Sequence, residues 1–117
     1  LADRERIGQV LRNLLCNAAR YSPPESPIEL RVAAAYGGRV RVEVSDHGPG
    51  IHPDDLERIF DKFARGRNGH AGSAAGVGLG LYLARRIVRA HGSDITVQSS
   101  PGAGSTFAFE LTGVAGT

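Results

Sequence analysis

Residues 39–50, RVRVEVSDHGPG, alternate between polar and apolar side chains as far as Asp46, then break into a glycine–proline loop. Period-two alternation marks a strand with one buried face. Val40, Val42 and Val44 share that face and Asp46 shares it with them, so a carboxylate is expected to point inward at the strand's end. Working backward, the branched-residue run 28–36 reads as a second strand. Gly37-Gly38 between the two reads as a two-residue turn, which makes the pair an antiparallel hairpin.

Before the hairpin, Ile7, Val10, Leu11, Leu14, Leu15 and Ala18 recur at three- and four-residue steps, which predicts a helix over 3–21 with one buried stripe. Asp3 is a plausible cap, and Ser22-Pro23-Pro24 stops the helix. Working forward, a short helix is expected from 53 to 60 or 63, with Pro53 in its first turn. A loop poor in apolar side chains follows, RNGHAGSAAG, and then a helix over 79–90 ended by His91-Gly92. Strands over 94–99 and 105–111, joined by PGAG, close the chain. The order predicts a two-layer α/β sandwich, its mixed, mostly antiparallel sheet covered on one face by helices, with a flexible lid between glycine hinges.

The 117 residues are enough for one domain with its own core, here placed at 1–113 with a frayed tail at 114–117. Starting at Leu1, the chain is expected to be a piece of something longer. A net charge of +2 without like-charge runs gives no reason to expect nucleic acid. Cys16 is the single cysteine, which excludes an internal disulfide and fits a reducing cytoplasm. No apolar run approaches the ~20 residues that a membrane span needs, so no direct membrane contact is expected of this domain.

Three features carry chemistry. Gln9, Asn13 and Asn17 form a polar ridge beside the apolar stripe; they are either merely solvated or able to reach a divalent cation whose other ligands are phosphates and water. Asp46 either bonds its own loop, as Asp before glycine often does, or accepts from an amine on a ligand. In the second case an ionised carboxylate selects adenine, which has an exocyclic amine where guanine has a carbonyl. Gly48 and Gly50 would then let the backbone pass close to the ring. Gly76-x-Gly78-x-Gly80 opens the last helix, either as a flexible connection or as a phosphate cradle of backbone amides. Arg65 is either simply solvated, the default for an arginine, or able to reach a terminal phosphate, while Phe60 and Phe63 read as core side chains that also anchor the lid hinge.

These pieces, in this order, resemble the ATP-binding catalytic domain of bacterial sensor histidine kinases, part of the wider Bergerat-fold ATPase group with gyrase, Hsp90 and MutL. The resemblance rests on QVLRNLLCNAARYSP, DHGPGI, FDKFAR, GVGLGLYLAR and the closing GAGSTFAFEL. It implies ATP and Mg²⁺ as cofactors, with Asn17 as the metal ligand, Asn13 beside the phosphates, and Arg20 at phosphate where the family usually has lysine. It further implies Tyr21 packed against adenine, Asp46 reading the adenine amine with a water near Ser105, and Arg65 near the γ-phosphate. Gly48, Gly50 and Ile51 of the first glycine box, Phe60, and Gly76, Val77, Gly78, Leu79, Gly80 and Leu81 of the second would complete the nucleotide site.

Hydrolysing relatives place a glutamate where this chain has Asn13, and an amide cannot act as that general base. The resemblance therefore implies phosphotransfer to a histidine on a separate helical dimerisation domain, with a response regulator downstream and a homodimeric, membrane-anchored parent. None of His47, His52, His70 and His91 has the helical context of the acceptor, so that domain and the family's first strand are expected outside this chain. A serine kinase of the anti-sigma-factor type, a non-catalytic nucleotide-sensing module and a purely structural domain are the alternatives.

Overall fold

The computed structural model describes residues 4–56, 58–61 and 80–111. Helix α1 (Arg4–Tyr21) precedes strands β1 (Glu29–Ala34) and β2 (Val40–Asp46); helix α2 (Gly80–Ala90) precedes β3 (Thr96–Ser99) and β4 (Ser105–Leu111). The expected stripe is the buried face of α1: Val10, Leu14 and Ala18 are buried, and Ile7, Leu11 and Leu15 pack partly against the same core. The helix stops where Pro23 can offer no amide, and Glu25 turns the chain with a left-handed backbone (φ 72°). The expected cap Asp3 lies outside the described residues.

The sheet order is β1-β2-β4-β3, and every pairing among these strands is antiparallel. The parallel component allowed by the sequence is therefore absent among the described strands. The reason is that β4, entering beside β2, already runs opposite to it, and β3 returns by a hairpin on the far side. Val42 and Val44 face Phe109 and Phe107 across the β2–β4 ladder, and with Leu111 they meet Ala84, Ile87 and Val88 of α2 and the α1 stripe in one core. Each large side chain buried there contributes roughly 1.5–3 kcal/mol, so stability is concentrated in this two-layer contact. The opposite face is polar, carrying Arg41 bonded to Glu43 at 2.7 Å and the Ser45–Thr106 hydroxyl pair at 2.9 Å.

Two local expectations are corrected. The β1–β2 connection is longer than two residues. The last pair is Ala34 with Val40, Ala35 N–H donates to the Arg39 carbonyl at 2.8 Å, and Tyr36–Gly38 form a 3₁₀ turn. Tyr36 has nothing to pack on, being 97% exposed, so pairing it would add little; the two glycines take left-handed backbone beyond it. The short helix is not α-helical where described. Pro53–Asp55 is a 3₁₀ turn capped by His52, whose Nδ1 accepts from Asp54 N–H, and further three-residue bonds run from Arg58 to Asp55 and from Asp61 to Arg58. Two adjacent aspartates are poor helix formers, and Asp55 is buried and bonded to Arg58 at 3.0 Å, which favours the tighter turn.

Helix α2 ends in a left-handed glycine cap: Gly92 (φ 82°) donates to Arg89 O and Ser93 to Val88 O. Beyond it Asp94 receives Arg85 Nε at 3.0 Å, Arg89 Nη2 at 3.2 Å and the Ile95 amide at 2.8 Å. Burial alone would raise its pKa, but these donors outweigh it and lower the pKa from 3.8 to about 2. A depressed carboxylate pKa contributes stability above the ordinary value and loses it as pH falls through the folded value. Because the group is nearly half exposed, Asp94→Asn should cost only about 0.5 kcal/mol, or ~2–4 °C of melting temperature, at pH 7. In melting curves across pH, the gap to the parent chain should close between about pH 4 and pH 2; a gap that persists at pH 2 would show that charge is not its cause.

Candidate nucleotide site

Helix α1 joins the two glycine-rich segments. Positions 13, 17 and 21 recur every fourth residue and so lie along one side of the helix. At one end Asn13 Nδ2 donates to the carbonyl of Gly80, the first residue of α2, at 3.2 Å. At the other end the Tyr21 carbonyl faces Gly48, where an added Cβ would lie 2.8 Å from that oxygen. Asn17 sits between these contacts, partly buried and without a side-chain partner among the described residues. Arg20 is exposed in the last turn, and Tyr21 is 39% exposed, its ring not drawn into the core.

Asp46 is inward. It is 8% exposed, on the face of Val42 and Val44, and lies directly across the ladder from Ser105, which is equally buried. Its Oδ1 accepts the Gly48 amide at 2.8 Å, while Oδ2 has no hydrogen-bond partner among the described residues. The loop-bonding reading is thus realised by one oxygen, and the other is left for a donor not supplied by the described protein residues.

The loop after Asp46 is gripped by the β3–β4 connection. Gly102 N–H donates to Pro49 O at 2.7 Å, and Ile51 N–H to Ser99 Oγ at 2.8 Å. A side chain at Gly50 (φ 80°) would strike the Ser100 carbonyl, and one at Gly104 (φ 76°) would strike the carbonyl of Asp46 itself. Among the described residues, then, the glycines of the first box admit neighbouring backbone. Ser105, expected near a water, is bonded to Ser99 Oγ at 2.9 Å. Ser99 was missed by the sequence reading, although Ile95, Val97 and Ser99 alternate inward as Val42, Val44 and Asp46 do.

Phe60 is buried in a T-shaped contact with Phe107, ring centroids 6.2 Å apart, and the Arg85 guanidinium lies over its ring at 4.8 Å. Phe60 thus ties residues 58–61 to the sheet. Ile51 and Leu81 pack partly against the same core. Phe63, Arg65, Gly76, Val77, Gly78 and Leu79 lie outside the described residues. Of the histidines, His52 caps a turn, His91 bonds Ile87 O at 2.8 Å and His47 is exposed, while His70 lies outside. Among the described residues no helix is long and apolar enough to cross a membrane, and no three His, Cys, Asp or Glu side chains cluster to hold a metal.

Residues 2–113 match the family of histidine kinase-, DNA gyrase B- and HSP90-like ATPases. The adaptive-response sensory kinase SasA of a Synechococcus strain is 47% identical over 109 residues, covering 93% of this chain and 28% of that protein. Full-length ShkA, crystallised in complex with AMPPNP, superposes with a TM-score of 0.80 at 37% identity, covering 95% of this chain and 22% of that one. The mycobacterial sensor histidine kinase MprB superposes with a TM-score of 0.84 at 29% identity, covering 95% of this chain and 74% of that one. The chain spans little more than a quarter of the length of curated sensor kinases such as SasA. It belongs to the histidine kinase-, gyrase B- and HSP90-like ATPase family and is a domain of the kind found in sensor histidine kinases.

Proposed function

We propose that this domain binds Mg-ATP and presents its γ-phosphate to a histidine on a separate dimerisation domain of a larger, homodimeric kinase. The observation that carries the reading is the inward Asp46 carboxylate opposite Ser105, with one oxygen bonded to its own loop and the other without a partner among the described residues. Such a group calls for a nitrogen donor, and the adenine amine supplies one. The residues present also suit the cation: the unpartnered Asn17 amide offers one hard oxygen, so phosphates and water would complete its coordination. Mg²⁺ would supply charge neutralisation at the phosphates.

The family resemblance supports a role for each protein group, and the described placement of Asp46, Asn13 and Phe60 supports it at those three positions. Asp46 holds the base, with Tyr21 and Ile51 beside it. Asn13, bonded to the Gly80 carbonyl, holds the start of α2 toward the phosphates. Arg20, Arg65 and the glycines at 76, 78 and 80 serve the phosphate end, and Phe60 anchors the lid to the core. An asparagine at position 13 cannot accept a proton from water, which favours transfer over hydrolysis. The AMPPNP bound by ShkA supports the nucleotide assignment. A response regulator would take the phosphoryl group onward, in the cytoplasm.

Asp46→Asn keeps an acceptor for the Gly48 amide but turns its other arm into a donor facing the adenine amine. Calorimetry should show Mg-ATP affinity falling by about 100-fold or more, with the nucleotide-free melting temperature within about 2 °C of the parent. Near-parental affinity would remove the adenine assignment. The isolated chain should hydrolyse ATP far more slowly than about 1 s⁻¹, the low end for ordinary enzymes; turnover at that rate would contradict the argument from Asn13. Phosphate transfer from ATP to an added histidine-bearing helical domain tests the acceptor directly, and its absence with nucleotide bound would favour a sensing module.

A further inference from the structure

Ser99 touches both lips of the proposed base site. Its Oγ accepts the Ile51 amide at 2.8 Å, donates to the Gly104 carbonyl at 2.9 Å, and lies 2.9 Å from Ser105 Oγ. A serine hydroxyl has one proton. Ile51 N–H can only donate and Gly104 C=O can only accept, so the Ser99 proton goes to Gly104. Ser105 must then spend its own proton on Ser99. What Ser105 has left for a ligand is lone pairs, and its cross-strand neighbour Asp46 likewise offers an unpartnered oxygen. Facing residues of an antiparallel pair have Cβ atoms only about 4.5–5.5 Å apart, so this wall presents acceptors alone.

Resting on the nucleotide reading above, we propose that Ser99 is a specificity-determining positioning residue: by engaging the Ser105 hydroxyl proton it keeps the Asp46–Ser105 wall donor-free and hostile to a purine carbonyl. An exocyclic amine, with two protons, satisfies both acceptors, directly or through a water. A guanine carbonyl meets lone pairs on both sides. Without the Ser99 hydroxyl, Ser105 could rotate its proton toward the ligand and accommodate that carbonyl, and the Ile51 amide would lose its acceptor.

The test is calorimetry of Mg-ATP and Mg-GTP on the 117-residue chain and on Ser99→Ala and Ser99→Thr, with nucleotide-free melting as a control. The parent should prefer ATP by about 100-fold or more, as expected for a site that hydrogen-bonds one purine edge. Ser99→Ala should cut that preference about tenfold, the worth of one neutral hydrogen bond, with GTP gaining relative to ATP. Ser99→Thr, which keeps the hydroxyl, should restore it to within about twofold. If alanine prevents folding, Ser99→Cys, of similar size and a weak acceptor, takes its place with the same expectation. A preference unchanged in the alanine or cysteine variant, or equally lost in the threonine one, overturns the role of Ser99. A parent chain that binds neither nucleotide, or both alike, overturns the adenine reading itself and the proposal with it.

Discussion

Three backbone segments meet at the end of β2 at distances that leave no room for a Cβ. Gly48 lies on the Tyr21 carbonyl, Gly50 on that of Ser100, and Gly104 on that of Asp46. This contact is what turns a strand end into a site. It draws the last turn of α1, the loop after Asp46 and the β3–β4 connection onto one another, with the Asp46 carboxylate and the Ser105 hydroxyl enclosed beneath. Alanine at 50 or 104 would have to push two loops apart, in backbone geometry that L-residues rarely adopt. The glycines serve close approach first; any ligand then meets a surface whose shape they have set.

Stability and site occupy different parts of the same layers. The core is apolar and central, built by the α1 stripe, α2 and the inner faces of β2 and β4. The polar groups line its rim, where each strand runs out of partners: Asp46 closes β2, Ser99 closes β3 and Ser105 opens β4. A buried polar group at such a rim costs less than one in mid-sheet, because a loop amide or hydroxyl is within reach. Gly48 N–H does this for Asp46, and Ser99 does it for Ile51 and Ser105. The rim can therefore hold a carboxylate whose second oxygen has no protein partner among the described residues without disturbing the packing below.

The helix side of the sheet is not uniformly covered. Leu30 and Val32 on β1 face the same way as Val44 and Val42 yet remain 47% and 64% exposed, because α1 and α2 pack over β2 and β4 instead. Alternation in a sequence reports which face a side chain takes, not whether a neighbour reaches it. The same limit explains the hairpin: Gly37-Gly38 marked a turn correctly, but its length depended on whether Tyr36 had anything to pack against.

Local periodicity was enough to read the helix stripe, both hairpins and the inward face of Asp46, because spacing of 3.6 or 2 is a property of the chain itself. The ordered set of asparagines, glycine boxes and phenylalanines was enough to place the chain in its family. Only the tertiary structure decided that all four strands pair antiparallel, that residues 53–55 wind as a 3₁₀ turn, and that Ser99 bridges both lips of the rim. The turn at 53–55 follows from nearby side chains that periodicity does not weigh. The β2–β4 pairing and the Ser99 bridge depend instead on contacts between residues far apart in the chain, such as Asp46 with Ser105 and Ile51 with Ser99. No local spacing encodes such meetings; they exist once the core has brought the segments together.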